Sequence, residues 1–95
     1  MKANLLLRRR IEVDDISFAE LVVWRLPLAL PGSAHPFKYR LAYVVDGVCV
    51  LRYDNETGKG DHRHLGKAES AYAFDGYEKL LADFWADVDR WRQRR

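Results

Sequence analysis

The dipeptide Asp46-Gly47 limits what this chain can fold into more than any other pair. It separates two runs, residues 38–45 and 48–55, that are rich in Tyr, Val and Leu. An Asp-Gly pair between such runs favours a type I′ turn, whose twist matches that of the strands it joins. The runs then become antiparallel neighbours, and uninterrupted pairing decides which side chains share a face. Lys38, Arg40, Ala42 and Val44 go with Cys49, Leu51, Tyr53 and Asn55, while Tyr39, Leu41, Tyr43 and Val45 go with Val48, Val50, Arg52 and Asp54. Each face is apolar near the turn and polar at the open end.

A second hairpin precedes this one. Leu5, Leu7, Ile11 and Val13 alternate with Leu6, Arg8, Arg10 and Glu12, a half-buried strand pattern that only Arg9 interrupts. A two-residue turn at Asp14-Asp15 sets Leu5 opposite Trp24, Leu7 opposite Val22, Ile11 opposite Phe18, Val13 opposite Ile16 and Arg9 opposite Glu20. The Arg9–Glu20 pair accounts for the interruption. Arg8 and Arg10 are left on the other face with Ser17 and Ala19, which reads as a solvated face rather than a nucleic-acid tract. Pro27 ends the second strand, and the turn-rich residues 31–36 carry His35 as an incidental loop histidine.

The C-terminal quarter predicts a helix. Asp75 in the cap role and Glu78 three positions later form a capping-box pattern, and Lys79 with Asp83 adds an i,i+4 pair. Tyr77, Leu80, Leu81, Phe84, Val88 and Trp91 fall on one stripe, with Trp85 just off it and available to a sheet edge or a partner. Arg90, Arg92, Arg94 and Arg95 suit the negative end of the helix dipole. Tyr72 and Phe74, alternating with Ala71 and Ala73, suggest a short fifth strand. The expected fold class is α+β: an antiparallel sheet of four to five strands, built as two consecutive hairpins and packed against one C-terminal α-helix, with residues 1–95 as a single domain.

Composition adds limits. A chain of 95 residues buries about 65% of its unfolded surface and needs no staples. One cysteine rules out an internal disulfide and any multi-cysteine metal cage, so Cys49 reads as a small buried apolar residue in a reducing compartment. Leu5-Leu6-Leu7 is too short for a signal peptide, and no segment is long enough to span a membrane, so a cytoplasmic location is expected. The net charge of +2 is too mild to argue nucleic-acid binding from bulk charge, so the positions of the cations must decide.

Chemistry concentrates in residues 53–64. Two of the three histidines, His62 and His64, stand two positions apart beside Asp61 and Arg63, and Gly58 and Gly60 bracket Lys59. Glycines let the backbone approach a ligand, and imidazoles supply acid and base near neutral pH. A solvated loop with ordinary turn chemistry is the plain alternative.

The same stretch, with Lys38-Tyr39-Arg40 before it and Tyr72-Ala73-Phe74 through Leu80-Leu81-Ala82-Asp83-Phe84 after it, resembles the TumE family, the toxin halves of small bacterial toxin and antitoxin pairs. The likeness runs from Lys2-Ala3 to Val88. Its specific part is Tyr53-Asp54-Asn55 followed by Gly58-Lys59-Gly60-Asp61-His62-Arg63-His64, while residues 27–36 and Cys49 depart from it. The resemblance implies a growth-inhibiting toxin neutralised by an antitoxin protein encoded beside it.

The residue types fit metal-independent cleavage of RNA. One of His62 and His64 takes the 2′-OH proton, the other or Tyr53 protonates the leaving oxygen, and Asp61 or Asp54 orients a histidine. Lys38, Arg40, Asn55, Lys59 and Arg63 are the expected substrate-binding groups. No cofactor is implied. A metal site on His62, His64 and Asp54 or Asp61 is one rival. A module that inhibits only by gripping RNA or protein is another, and such blocking needs no acid and base pair.

Overall fold

Asp46 and Gly47 have φ values of 51° and 79°, the positive pair that a type I′ turn requires. They join β3, Phe37–Val45, to β4, Val48–Glu56. The computed structural model describes residues 2–94, so the expected role of Arg95 at the helix end lies outside the described residues. Before this hairpin come β1, Asn4–Asp14, and β2, Ser17–Arg25. After it come β5, Gly60–Leu65, β6, Ala68–Ala71, and the helix α1, Tyr77–Gln93. The strands form one sheet in the order β1-β2-β3-β4-β5-β6, with every neighbour antiparallel. The class is the expected α+β, with six strands rather than four to five.

The central hairpin departs from uninterrupted pairing. Val45 meets Val48 and Val44 meets Cys49, but the register then shifts and Tyr43 meets Leu51. Val50 is the extra residue of a β-bulge. Beyond it, every side chain of β4 lies on the face opposite to the expected one. Leu51, Tyr53 and Asn55 join Tyr39, Leu41 and Tyr43, while Arg52 and Asp54 join Lys38 and Arg40. Burial explains the choice: Leu41, Tyr43, Leu51 and Tyr53 are 0–2% exposed, and regular pairing would set the Arg52 guanidinium among them.

The first hairpin is likewise shifted. Its turn is Asp15-Ile16, with Asp14 opposite Ser17, and the Asp14 carboxylate accepts the Ile16 N–H at 3.0 Å. Leu5 faces Trp24 as expected, but Arg10 rather than Arg9 stands opposite Glu20, and Arg9 faces Leu21. Ser17 and Ala19, expected towards solvent, are buried at 2% and 0%. Arg8 and Arg10 instead share a face with Phe18, Glu20, Val22 and Trp24, and their guanidinium carbons lie 5.8 Å from the Trp24 ring and 3.7 Å from the Phe18 ring.

One face of the sheet therefore holds the core. Ala19, Leu21, Val23, Tyr39, Leu41, Tyr43, Leu51 and Tyr53 pack with Leu80, Phe84 and Val88 of α1, which lies over β3 and β4. Fully burying Phe84 contributes about 2–3 kcal/mol. Trp85 packs on this cluster and meets Phe84 edge-on at 5.3 Å. Asp75 does not cap the helix: Gly76, with φ 91°, stands between it and the first turn, and no side chain caps the N–H groups there. Lys79 does reach Asp83, at 2.8 Å. Residues 60–65, expected as a loop, are β5, because β4 runs on past the bulge and offers them a partner edge. Tyr72 and Phe74 form no strand but pack on the core. The 26–36 segment is tied to the β4–β5 turn by a 2.7 Å hydrogen bond from Gly58 N–H to the Pro31 carbonyl. At Gly32 a Cβ would sit 3.1 Å from the Gly58 backbone, so that approach requires glycine.

Cys49 is exposed rather than buried, since it lies in the short paired stretch between the turn and the bulge. The native protein should therefore be modified by an aromatic disulfide reagent at a rate that denaturant does not raise. A thiol that reacts only after unfolding would contradict the bulge at Val50.

Candidate functional site

The bulge assembles a polar cluster on the sheet face that α1 leaves uncovered. Arg52 stands opposite His64 and Asp54 opposite His62, and Arg40 lies beside Asp54 on the next strand. One row across the strands thus reads Arg8, Val22, Arg40, Asp54, His62, and the adjacent row reads Arg10, Glu20, Ala42, Arg52, His64, Glu69. The two histidines point the same way, as alternate residues of a strand must.

Their nitrogens are held in different states. His62 Nε2 lies 2.8 Å from the Lys59 carbonyl, so it carries the proton that it donates there. Its Nδ1 is buried 3.3 Å from Glu69, with no hydrogen bond formed. His64 Nε2 lies 3.2 Å from Arg52 Nη2 and accepts from it, so the neutral ring carries its proton on Nδ1, 3.9 Å from the other Glu69 oxygen. Asp54 reaches towards both neighbours, at 3.6 Å from His64 Nε2 and 3.1 Å from Arg52 Nε, although that Nε makes no hydrogen bond. The imidazoles are 21% and 24% exposed. The two rings thus present different nitrogens to their surroundings, and either can give up a proton only after it has first taken one. Among the described residues no three His, Cys, Asp or Glu side chains are grouped as a metal ion would require, so His62, His64 and Asp54 are neighbours without forming a ligand set.

The other expected site residues lie elsewhere. Lys38 shares the histidine face, but its Nζ donates to the Asn55 carbonyl at 2.6 Å. Arg40 is exposed, and Lys59 is exposed at the β4–β5 turn, 3.9 Å from Glu56. Asn55 is fully buried: its Oδ1 accepts the Tyr39 N–H at 3.0 Å and its Nδ2 donates to the Phe37 carbonyl at 2.6 Å, which ties β3 to β4. Asp61 faces the helix side and orients neither His62 nor His64. Its carboxylate takes the Tyr39 hydroxyl at 2.6 Å and the Nε2 of His35 at 2.8 and 3.1 Å. His35, expected to be incidental, is thus locked, with Nδ1 accepting the Phe37 N–H and its ring stacked on Phe74 at 3.8 Å.

Tyr53 and Arg63 converge on a residue absent from the expected set, Asp87 of α1. The Tyr53 hydroxyl donates to Asp87 Oδ2, and Arg63 donates to both carboxylate oxygens at 2.7 and 3.0 Å. Burial and the bond to Asp87 raise the Tyr53 pKa far above its usual value, which unfits the hydroxyl as a proton donor to a leaving group. At Asp87 burial alone would raise the pKa, but the bonds from Tyr53, Arg90 and Arg63 outweigh it and the net shift is downward. A signal for Asp87 existed: it is the carboxylate inside the periodic stripe Leu80, Phe84, Val88, Trp91. Arg52 was equally visible as a cation one step out of phase with Leu51 and Tyr53.

Asp87 is 3% exposed, so removing its charge should leave the Arg63 and Arg90 guanidiniums without their carboxylate and the Tyr53 hydroxyl with weaker acceptors, among them the Asp83 carbonyl at 3.4 Å. Asp87→Asn should cost about 3 kcal/mol in denaturant unfolding. Because the folded pKa is lowered, the stabilisation is complete above the ordinary carboxylate range and fades as pH falls through the folded pKa. The difference in stability between wild type and Asp87→Asn should therefore shrink on acidification below about pH 4. A difference that stays constant with pH would remove the ionised carboxylate from the fold's energetics.

No helix among the described residues is long and apolar enough to cross a membrane. Comparison with curated proteins and with solved structures finds no match. A family model described as Toxin TumE matches residues 3–92. That span takes in both sheet faces, the paired histidines and nearly all of the helix, and the chain belongs to the TumE family of toxins.

Proposed function

We propose that this toxin acts on RNA at the uncovered sheet face and cleaves it without a metal, with His62 and His64 as base and acid. The observation that supports this most directly is the Val50 bulge, which brings Lys38, Arg40 and Arg52 onto the face of both histidines. Cations aimed at one surface hold and stabilise a phosphate, while paired imidazoles move protons beside it. In this reading His62 Nδ1 takes the 2′-OH proton once the half-exposed Glu69 swings aside. The 2′-oxygen attacks phosphorus, and protonated His64 passes a proton from Nδ1 to the departing 5′-oxygen. Its Nε2–H turns to Asp54, 3.6 Å away. Arg40 and Arg52 face the non-bridging oxygens, and Lys59 extends the cationic rim. Tyr53, Asp61 and Asn55 act through the fold that carries the site. The reaction places the toxin with its antitoxin partner in the bacterial cytoplasm.

One observation favours a second reading. His62 Nε2 is tied to the Lys59 carbonyl, and its Nδ1 is covered beside Glu69; such a ring can grip a ligand without exchanging a proton. The toxin would then inhibit by occupying RNA. Purified toxin, freed of antitoxin, should cleave total RNA in the presence of chelator. His62→Ala and His64→Ala should each lower the rate about 10²-fold or more with little change in melting temperature. Cleavage abolished by chelator would restore the metal reading of the histidines and Asp54. Binding without cleavage would establish the blocking module.

The cross-strand rows also revise where binding should be felt. Arg8 lies in the row of Arg40 and His62, two strands from Arg40. Arg8→Ala and Arg40→Ala should both weaken RNA binding and flatten its salt dependence, by about 0.7 in log–log slope for each lost phosphate contact. His64→Ala should leave binding largely intact. Binding that is indifferent to both arginines would place the RNA elsewhere.

A further inference from the structure

The helix side of the sheet holds a second concentration of positive charge that the fold does not use up. A cavity of about 300 Å³ opens between α1 and the Leu65–Gly66 end of the β4–β5 pair, and Arg63, Arg90 and Arg94 line it above apolar walls of Val50, Leu65 and Trp91. Asp87 lies at its base with both oxygens occupied: Oδ2 accepts from Tyr53 and Arg63, and Oδ1 accepts from Arg63 and Arg90. Three guanidiniums thus line the cleft against one carboxylate, to which Arg63 and Arg90 donate. Counting about −0.5 for the nearby helix C-terminus, roughly +1.5 of charge remains unbalanced. Apolar walls strengthen the field of that charge by excluding water.

The donors are placed for an incoming oxyanion. Arg63 binds Asp87 through Nε and Nη2, which leaves its Nη1 amino group unspent. Arg90 spends one Nη2 bond, and Arg94 has no side-chain ion pair among the described residues. One more cation would have balanced the helix end, so dipole compensation alone does not account for both Arg90 and Arg94. The guanidiniums arrive from β5, from the last turn of α1 and from the residue that follows it. A tetrahedral phosphate offers oxygens in several directions to donors that arrive from different sides.

We propose that this cleft is a second phosphate-binding site, which takes a backbone phosphate of the RNA on the face opposite His62 and His64. The inference rests on the RNA reading above and deepens it. Leu65 and Gly66 line the cleft and directly follow His64. The turn they form is open, with nothing within 4 Å of a Cβ at Gly66, and the edge strand β6 beyond it is only 4 residues long. A single strand of RNA can therefore pass from the histidines around this short edge into the cleft.

Isotope-labelled toxin titrated with inorganic phosphate, and separately with a short single-stranded oligoribonucleotide, should show saturable shifts at the Leu65 and Gly66 amides and at the Trp91 indole. The double variant R90Q/R94Q keeps the Arg63–Asp87 pair and an amide donor at position 90, so it should stay folded with a modest loss in melting temperature, checked by its amide spectrum. It should lose those phosphate shifts and reduce the log–log salt slope of oligoribonucleotide binding by about 0.7, one single-strand phosphate contact. Wild-type binding with an unchanged slope in R90Q/R94Q would overturn the cleft site while leaving the open-face reading in place. Phosphate shifts confined to Arg40, His62 and His64 would overturn it too, as would a double variant that keeps RNA but no longer binds antitoxin. Loss of cleavage in His62→Ala with the Leu65 and Gly66 shifts intact bears on the histidine site alone and supports a separate cleft.

Discussion

The β-bulge at Val50 is the constraint on which the rest of the molecule depends. Side chains alternate along a strand, so one inserted residue exchanges the two faces of everything that follows. The apolar Leu51 and Tyr53 thereby meet Leu41 and Tyr43 under the helix, and Arg52 and Asp54 turn to the open side. Because β5 takes its register from β4, the same insertion sends Asp61 and Arg63 to the helix side and His62 and His64 to the other. A single hydrophobic requirement, dry surroundings for Leu51 and Tyr53, thus sorts the charged residues of two strands.

On the helix side the carboxylates and the Asn55 amide are consumed by the fold. Asp61 joins Tyr39 and His35, Asn55 binds two backbone groups of β3, and Asp87 gathers Tyr53 and Arg63. The Asp87 network crosses from α1 to β4 and β5. A buried carboxylate costs several kcal/mol unless it is paired and hydrogen-bonded, and here four bonds offset that cost. Its geometry also fixes the rotation of the helix about its axis, because apolar packing of Leu80, Phe84 and Val88 is non-directional and the Arg63 fork is not.

Much of this was legible from residue order. The Asp46-Gly47 turn, the strand periods and the apolar helix stripe follow from local chemistry, and they give the α+β class and the helix that closes one face. The pairing of His62 with His64 on one side of an extended segment was legible as well. The bulge was not, because it is decided by non-local burial, and alternation alone does not say whether Val50 or Leu51 opposes Tyr43. That single omission carried Lys38 and Arg40 to the wrong companions and hid Arg52. The turn of the first hairpin slipped for a related reason: Asp14-Asp15 and Asp15-Ile16 are both plausible loops, and burial of Ser17 and Ala19 decides between them. His35 was invisible as a partner of Asp61 because 26 residues separate them.

A net charge of +2 gives little indiscriminate attraction to polyanions, so on the proposed reading the open face must select its ligand by where its charges sit. Across its rows Arg8, Arg10, Lys38, Arg40 and Arg52 are interleaved with Glu12, Glu20, Asp54 and Glu69. Arg10 is drawn to Glu12 at 3.2 Å and Arg52 to Asp54 at 3.1 Å, whereas Arg40 is exposed with no ion pair among the described residues. The carboxylates neutralise most of the surface beyond a Debye length of about 8 Å. Only a ligand that comes within hydrogen-bond reach meets unspent donors. Position rather than total charge therefore sets what such a face holds, and in the proposed reaction Arg40, beside Asp54 and one strand from the histidine row, is where holding a phosphate and moving a proton would meet.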